Sequence, residues 1–73
     1  MSIIFSEHAK RQLRRRRISQ KLIISVVKNH KEMTASFKER KLRKKIIGDK
    51  ILEVVTITEG SRITIITGYY IEV

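Results

Sequence analysis

A Gly48-Asp49 pair between two β-forming segments constrains the fold more than any other feature of this sequence. Gly-Asp is a two-residue loop of the kind that adopts a type II′ turn between antiparallel strands. The segment after it, 51–58, is rich in Ile, Val and Thr, which favour strands. The cross-strand pairs predicted for this hairpin are Ile46–Ile51, Lys44–Glu53 and Leu42–Val55. We expect Arg43 and Lys45, on the other side of the same strand, to project from the sheet face away from the helices.

The first thirty residues have helical rather than strand spacing. Phe5, Ala9 and Leu13 recur at i, i+4 and i+8, which predicts a helix over about 7–16 that begins at Ser6 as its N-cap. Ser19 is a second N-cap candidate, and the apolar residues after it predict a helix over about 20–30.

The second half of the chain predicts strands at about 33–37, 40–47, 51–58 and 62–72. The fold class is therefore α+β, with two N-terminal helices packed on one face of an antiparallel sheet of three to four strands, in a single domain, 1–73. The loop before the last strand leaves two alternatives. A two-residue loop places Thr67 and Tyr69 on the open face, whereas a three-residue loop with a bulge at Gly60 turns Thr67 inward; the apolar pattern slightly favours the second.

The charge is large and unevenly distributed. Seventeen Lys and Arg residues against seven Asp and Glu give a net charge of +10. The basic residues concentrate in 10–17 and 38–45, which predicts a positive surface and a polyanionic or acidic partner. Nucleic acid and an acidic protein both qualify as that partner, and if it is RNA, we expect Arg11, Arg15, Arg17, Arg43 and Lys45 to bind it.

Several classes of protein are disfavoured by the composition. There is no Cys and there are only two His, so we expect no metal site and no cofactor. No apolar run approaches the roughly 20 residues of a membrane span, and the N-terminus does not resemble a signal peptide. A cytoplasmic protein that does not bind membranes is the expectation.

His8 and the arginine run 14–17 could support metal-free cleavage of RNA. Such cleavage needs a base for the ribose 2′-OH, cations for the phosphate charge and an acid for the leaving oxygen. His8 falls in the first turn of its helix, where the helix dipole favours the neutral imidazole. Arg15 and Arg16 follow about 10–12 Å further along the helix axis.

The order of several short motifs resembles the domain-of-unknown-function family 4258. The motifs are Phe5-Ser6-Glu7-His8-Ala9, Arg16-Arg17-Ile18-Ser19, the hairpin 47–55 and Ile65-Ile66-Thr67-Gly68-Tyr69. The resemblance implies a RelE-like or barnase-like fold and kinship with small, metal-independent ribonuclease toxins. It marks His8, Arg16, Thr67 and Tyr69 as the catalytic residues. Two positions depart from the family pattern: Arg17 replaces a turn glycine, where a left-handed helix cap is expected, and Gln12 replaces an arginine.

Three functions remain compatible with these residues. The first is a toxin of a toxin–antitoxin system, an endoribonuclease that acts on mRNA, with or without the ribosome, and is neutralised by an acidic antitoxin. The second is a basic nucleic-acid-binding module without catalysis. The third is a protein-interaction domain that docks an acidic partner.

Overall fold

The computed structural model describes residues 2–30 and 32–72 and contains two helices and a five-stranded mixed sheet. The elements in chain order are β1 (Ser2–Phe5), α1 (Glu7–Arg16), α2 (Gln20–Lys28), β2 (Glu32–Ala35), a 3₁₀ turn (Phe37–Glu39), β3 (Arg40–Ile47), β4 (Lys50–Glu59) and β5 (Arg62–Glu72). The predicted domain, 1–73, also includes Met1, Lys31 and Val73, which lie outside the described residues.

Both helices begin where the sequence predicts. The Ser6 hydroxyl accepts a hydrogen bond from the Ala9 N–H, and the Ser19 hydroxyl accepts one from the Leu22 N–H, each at 3.0 Å. These are the N-cap bonds that satisfy otherwise unpaired N–H groups in the first turn. α1 has the predicted length, and α2 ends at Lys28, two residues before the predicted end.

The predicted β3–β4 hairpin is confirmed in its register. Ile46 pairs with Ile51, and Lys44 pairs with Glu53. Gly48 has a φ of 64° and Asp49 is not among the residues with positive φ, as a type II′ turn requires. β2 then adds to β3 as an antiparallel edge strand.

The sheet is mixed and not purely antiparallel, because residues 2–5 form a strand that the sequence did not predict. β1 lies parallel to β5, with Ser2 opposite Arg62 and Phe5 opposite Ile65. The strand order is β1-β5-β4-β3-β2. β1 covers only the first part of β5, so the β5 edge from residue 66 onward has no strand beside it among the described residues.

The loop before β5 has the two residues of the first predicted alternative, and Thr67 and Tyr69 lie on the face away from the helices, as that alternative predicts. The three-residue loop with a bulge at Gly60, which the apolar pattern slightly favours, is wrong. A β-bulge at Ile66, which neither alternative includes, determines the orientation of β5. The loop has two residues, since Glu59 pairs with Arg62, and Ile65 pairs with Thr56. The next pair is Val55 with Thr67, which leaves Ile66 unpaired. A bulge shifts the two-residue alternation of side chains by one. Ile65 therefore faces the helices, while Thr67 and Tyr69 lie on the opposite face.

The helices pack on the sheet face that carries the buried side chains of β4 and β5. Leu52, Val54 and Ile65 belong to one core cluster with Leu13 of α1 and Ile23 of α2. Gly68 lies directly under both helices, since a Cβ there would fall 2.9 Å from Ile23 Cδ1 and 3.3 Å from Leu13 Cδ2. The glycine therefore permits the close approach of α1 to β5.

The predicted orientation of β3 is wrong. Arg43 pairs with Val54 and Lys45 pairs with Leu52, so both side chains lie on the face that the helices cover. Arg43 is 7% exposed, and its guanidinium donates hydrogen bonds to the Val27 carbonyl, the Thr56 hydroxyl and the Thr58 hydroxyl. These three acceptors allow a cation to occupy a position that the sequence pattern assigns to solvent.

Within residues 2–30 and 32–72, neither helix has the length and apolar character needed to cross a membrane.

Candidate functional site at the β5 edge

Arg16, at the last position of α1, reaches across the uncovered edge of β5. Its Nη1 donates to the Thr67 hydroxyl at 3.1 Å and to the Gly68 carbonyl at 2.9 Å. Its guanidinium carbon lies 6.0 Å from the centroid of the Tyr69 ring, at the outer limit of a cation–π contact. The structure therefore brings together three of the four residues predicted as catalytic: Arg16, Thr67 and Tyr69.

The end of α1 fixes the position of Arg16. Arg17 adopts the left-handed conformation, with a φ of 57° and a ψ of 41°, which confirms the predicted cap. The Arg17 N–H donates to the Arg14 carbonyl, and the Ile18 N–H donates to the Leu13 carbonyl. This pair of bonds is a Schellman motif, and the buried side chains of Ile18 and Leu13 supply the apolar contact that accompanies it.

Tyr69 is held from the other side by Glu53. The Tyr69 hydroxyl donates a hydrogen bond to the Glu53 carboxylate, whose second oxygen lies 3.4 Å from Lys44 Nζ. Burial, the hydrogen bond to Glu53 and the negative charge of Glu53 raise the pKa of Tyr69 to about 12, against the opposing effect of the Arg16 charge. Tyr69 therefore keeps its proton at neutral pH and cannot act there as a general base.

The sequence prediction omitted Glu53 and Lys44 from the site. The signal for them was the Lys44–Glu53 pair in the predicted hairpin, a buried acid beside a cation in an otherwise apolar stripe. Placing Tyr69 opposite Glu53 required the bulge at Ile66, which the sequence does not reveal.

One edge of the Arg16 guanidinium remains available. Nη1 carries two hydrogens, and its two protein acceptors can take both. No hydrogen bond among the described residues uses Nε or Nη2 of Arg16. These two nitrogens form the edge that binds a phosphate or carboxylate through two parallel hydrogen bonds.

His8 lies on the exposed surface of α1, apart from this cluster. None of the hydrogen bonds, ion pairs or ring contacts within 2–30 and 32–72 involves His8. The helix places it about 12 Å along the axis from Arg16 and about 80° around it. α1 begins beside β5, where the Ser6 N–H donates to the Ile65 carbonyl, and ends where Arg16 contacts Gly68. α1 therefore runs alongside β5 between Ile65 and Gly68, and the structure places Arg16 in the cluster and His8 outside it.

The predicted RNA-binding residues divide into two groups. Arg11, Arg15 and Arg17 are exposed, and at 100° per residue Arg11 and Arg15 lie within about 60° of His8 on α1. Arg43 is turned into the protein, where burial lowers its pKa, and no ion pair within residues 2–30 and 32–72 involves it. Lys45 is half-buried on the helix face. Lys44, not Lys45, is the lysine of β3 beside the cluster of Arg16, Thr67, Tyr69 and Glu53, which we call the Arg16 cluster.

The described residues contain no group of three or more His, Asp and Glu side chains placed to hold a metal ion.

Comparison with known proteins identifies a family but no characterised relative. No curated protein and no solved structure matches the chain. One protein-family model, described as Domain of unknown function (DUF4258), matches residues 5–70, which include every member of the Arg16 cluster. The chain therefore belongs to the family Domain of unknown function (DUF4258).

Proposed function

We propose that this protein is a metal-independent endoribonuclease, the toxin of a toxin–antitoxin system related to the RelE-like and barnase-like ribonucleases, and that it acts on RNA in the cytoplasm. The observation that carries the proposal is the Arg16 guanidinium, which is fixed by Thr67 and Gly68 and offers its Nε–Nη2 edge at the open edge of β5. A preorganised donor of this kind binds a phosphate group without first losing side-chain freedom.

The net charge of +10 and the exposed arginines of α1 support RNA as the ligand. Phosphate contacts of this kind supply affinity that does not depend on sequence and falls steeply with salt. The Thr67 hydroxyl and the Gly68 carbonyl hold Arg16 in place, the Tyr69 ring lies beside it, and Glu53 holds Tyr69. The same basic surface is suited to an acidic antitoxin, which would compete with RNA for it.

The proposed chemistry uses His8 as the acid–base group. His8 takes the proton of a ribose 2′-OH, the 2′-oxygen attacks the adjacent phosphorus, and the bond from phosphorus to the 5′-oxygen breaks. The departing 5′-oxygen takes a proton from water and becomes a 5′-hydroxyl, and the other product is a 2′,3′-cyclic phosphate. Protonated His8 then gives its proton to the hydroxide that is left. Arg16 stabilises the charge on the phosphate oxygens during this step. Tyr69 has no part in the proton transfers, because its hydroxyl is engaged by Glu53 and its pKa is about 12.

Cleavage of a single-stranded RNA by the purified protein in excess chelator tests this proposal. We expect His8→Ala to lower kcat/KM by about 10²- to 10⁴-fold, as loss of a general acid–base group does. We expect Arg16→Ala to lower it by about 10²- to 10³-fold, as loss of a charge-stabilising donor does. Arg14→Ala is the matched control, because it removes one exposed charge from the opposite side of α1 and should change the rate only through its salt dependence.

Cleavage of RNA by the wild-type protein separates the two leading functions, and His8→Ala tests the role of His8. The separation of His8 from the hydrogen-bonded cluster favours the alternative, a nucleic-acid-binding module without catalysis. Under that alternative the wild-type protein binds RNA in a salt-dependent manner and leaves it intact. Cleavage by His8→Ala at the wild-type rate would exclude His8 as the acid–base group. Expression of the wild-type protein should also arrest growth, and His8→Ala should relieve the arrest.

A further inference from the structure

Tyr70 is an exposed aromatic residue that the Arg16 cluster does not use. Its side chain lies opposite Leu52 on the helix-side face of β5 and is 38% exposed. The Nζ of Lys50 lies 5.6 Å from the centroid of its ring. Lys50 precedes Leu52 by two residues in β4 and therefore occupies the same face. The helix-side face of the sheet therefore ends at the solvent-accessible ring of Tyr70, with the Lys50 ammonium group beside it.

The position of Tyr70 relative to Arg16 suggests one continuous surface. Arg16 binds the Gly68 carbonyl at the edge of the strand, and Tyr70 follows Gly68 by two residues, about 7 Å along the strand. Thr67 and Tyr69 lie on the helix-free side of this edge and the Tyr70 ring on its helix side, so the edge itself connects the two. β1 ends at Phe5, opposite Ile65, so no described strand covers this part of the β5 edge. A ligand that extends from the Arg16 guanidinium along the edge reaches Tyr70.

We infer that Tyr70 and Lys50 form a stacking subsite for the base of a nucleotide adjacent to the phosphate at Arg16, an inference that rests on the proposed function. Aromatic rings bind single-stranded nucleic acids by stacking on successive bases, and they do so with any base because every base has a π-face. Lys50 adds a cation for the neighbouring phosphate. Lys45, in the same cross-strand row as Leu52 and Tyr70, contributes a second positive charge to this end of the face.

The chain provides a matched control for this subsite. Phe37 is 77% exposed, and the Nζ of Lys38 lies 5.6 Å from its ring centroid. It follows β2, the strand at the opposite edge of the sheet from β1 and β5. Phe37 therefore has the same ring–lysine arrangement but is remote from Arg16.

The test is the affinity for a short single-stranded RNA oligomer carrying 2′-O-methyl groups, which cannot be cleaved because its 2′-oxygens are blocked. We expect Tyr70→Leu to weaken binding by about 5- to 150-fold, the range for loss of one stacked base. Tyr70→Phe keeps the ring and should bind like the wild type. Phe37→Leu should also bind like the wild type. Thermal unfolding of each variant separates loss of binding from loss of folding.

Two further measurements report on the ring directly. The chain has two tyrosines and no tryptophan, so Tyr70 is the only tyrosine emitter in a Tyr69→Phe protein. Saturation with the oligomer should quench its fluorescence. A series of oligomers can carry one abasic nucleotide at each position in turn. One position of the abasic nucleotide should weaken binding to the wild-type protein, and the same oligomer should bind Tyr70→Leu no more weakly than the intact oligomer does.

The results that would overturn the stacking subsite differ from those that would overturn the proposed function. Four results would overturn the stacking subsite. Folded Tyr70→Leu could bind with wild-type affinity, or Phe37→Leu or Tyr70→Phe could lose as much affinity as Tyr70→Leu. The fourth result is the absence of quenching at saturation. RNA binding and cleavage that still depend on Arg16 and His8 would leave the proposed function standing in all of these cases. A wild-type protein that binds no RNA would overturn both.

Discussion

Replacement of Arg17 by glycine should stabilise the protein. Arg17 is exposed and holds a φ of 57° to close the Schellman motif after α1. The left-handed conformation costs an L-residue about 1–2 kcal/mol, because Cβ approaches the following carbonyl oxygen. Glycine has no Cβ and avoids this cost, but its greater conformational freedom in the unfolded chain destabilises the folded state by about 0.4–1 kcal/mol. We therefore expect a net gain of about 0.5–1 kcal/mol in the free energy of unfolding.

The measurement is thermal unfolding followed by circular dichroism. For a domain of this size, a gain of about 0.5–1 kcal/mol corresponds to a rise in Tm of about 2–8 °C. Arg17→Ala is the control, since it removes the same positive charge but keeps the Cβ. If the gain came from relief of charge repulsion, Arg17→Ala would raise Tm as much as Arg17→Gly. Equal stabilisation by the two substitutions, or a lower Tm for Arg17→Gly, would refute the role of backbone conformation.

Three further substitutions test other parts of the structure. Gly68→Ala should destabilise the fold by about 1–3 kcal/mol, as overpacking does, because a Cβ there would lie 2.9 Å from Ile23 Cδ1 of α2 and 3.3 Å from Leu13 Cδ2 of α1, and both side chains would have to shift. Urea denaturation measures this loss, and an unchanged midpoint would contradict the close packing. RNA affinity should fall as well, because the shift at Leu13 disturbs the helix that carries Arg16. Arg43→Ala should lower the free energy of unfolding by about 2–4 kcal/mol, because it removes both the aliphatic stem of the side chain and its hydrogen bonds. Arg43→Met keeps most of the stem and should lose less than half of that. Equal losses for the two variants in urea denaturation would contradict a packing role for the stem. The pKa of Tyr69 is raised from 10.0 to about 12, so the folded state favours the neutral phenol; its contribution to stability is complete below pH 10 and is lost as the pH rises toward 12. Tyr69→Phe should flatten the pH dependence of the unfolding free energy in this window. In a Tyr70→Phe protein, where Tyr69 is the only tyrosine, ultraviolet absorbance follows the Tyr69 phenol alone, and ionisation near pH 10 in the folded state would contradict the contact with Glu53.

Local sequence signals were sufficient to predict the helices and the central hairpin. Ser6 and Ser19 each precede a helical apolar pattern, and a serine N-cap acts within three residues of its own position. The Gly48-Asp49 turn is also a local signal, because the two residues of the loop determine how the strands on either side of it pair. Arg16 was also predictable, since it ends a helix whose start and length were both clear.

The errors involve interactions between distant parts of the chain. The run 3–5 is too short to distinguish from the start of a helix, and its pairing with β5 joins residues about sixty positions apart. Arg43 was assigned to the solvent face because charged residues are rarely buried. Its three acceptors come from α2 and β4, so only the assembled structure shows that a cation is accommodated there.

The bulge has a consequence for comparing members of this family. Ile66 is the one residue between Ile65 and Tyr69 that faces no partner across the β4–β5 ladder. A relative without it could continue the strand with regular alternation and still present a threonine and a tyrosine on the helix-free face. A relative that lacked the residue at Gly68 would place that threonine and tyrosine on opposite sides of the sheet. Sequence alignments of the family should therefore treat a gap at 66 as compatible with the site and a gap at 68 as its loss.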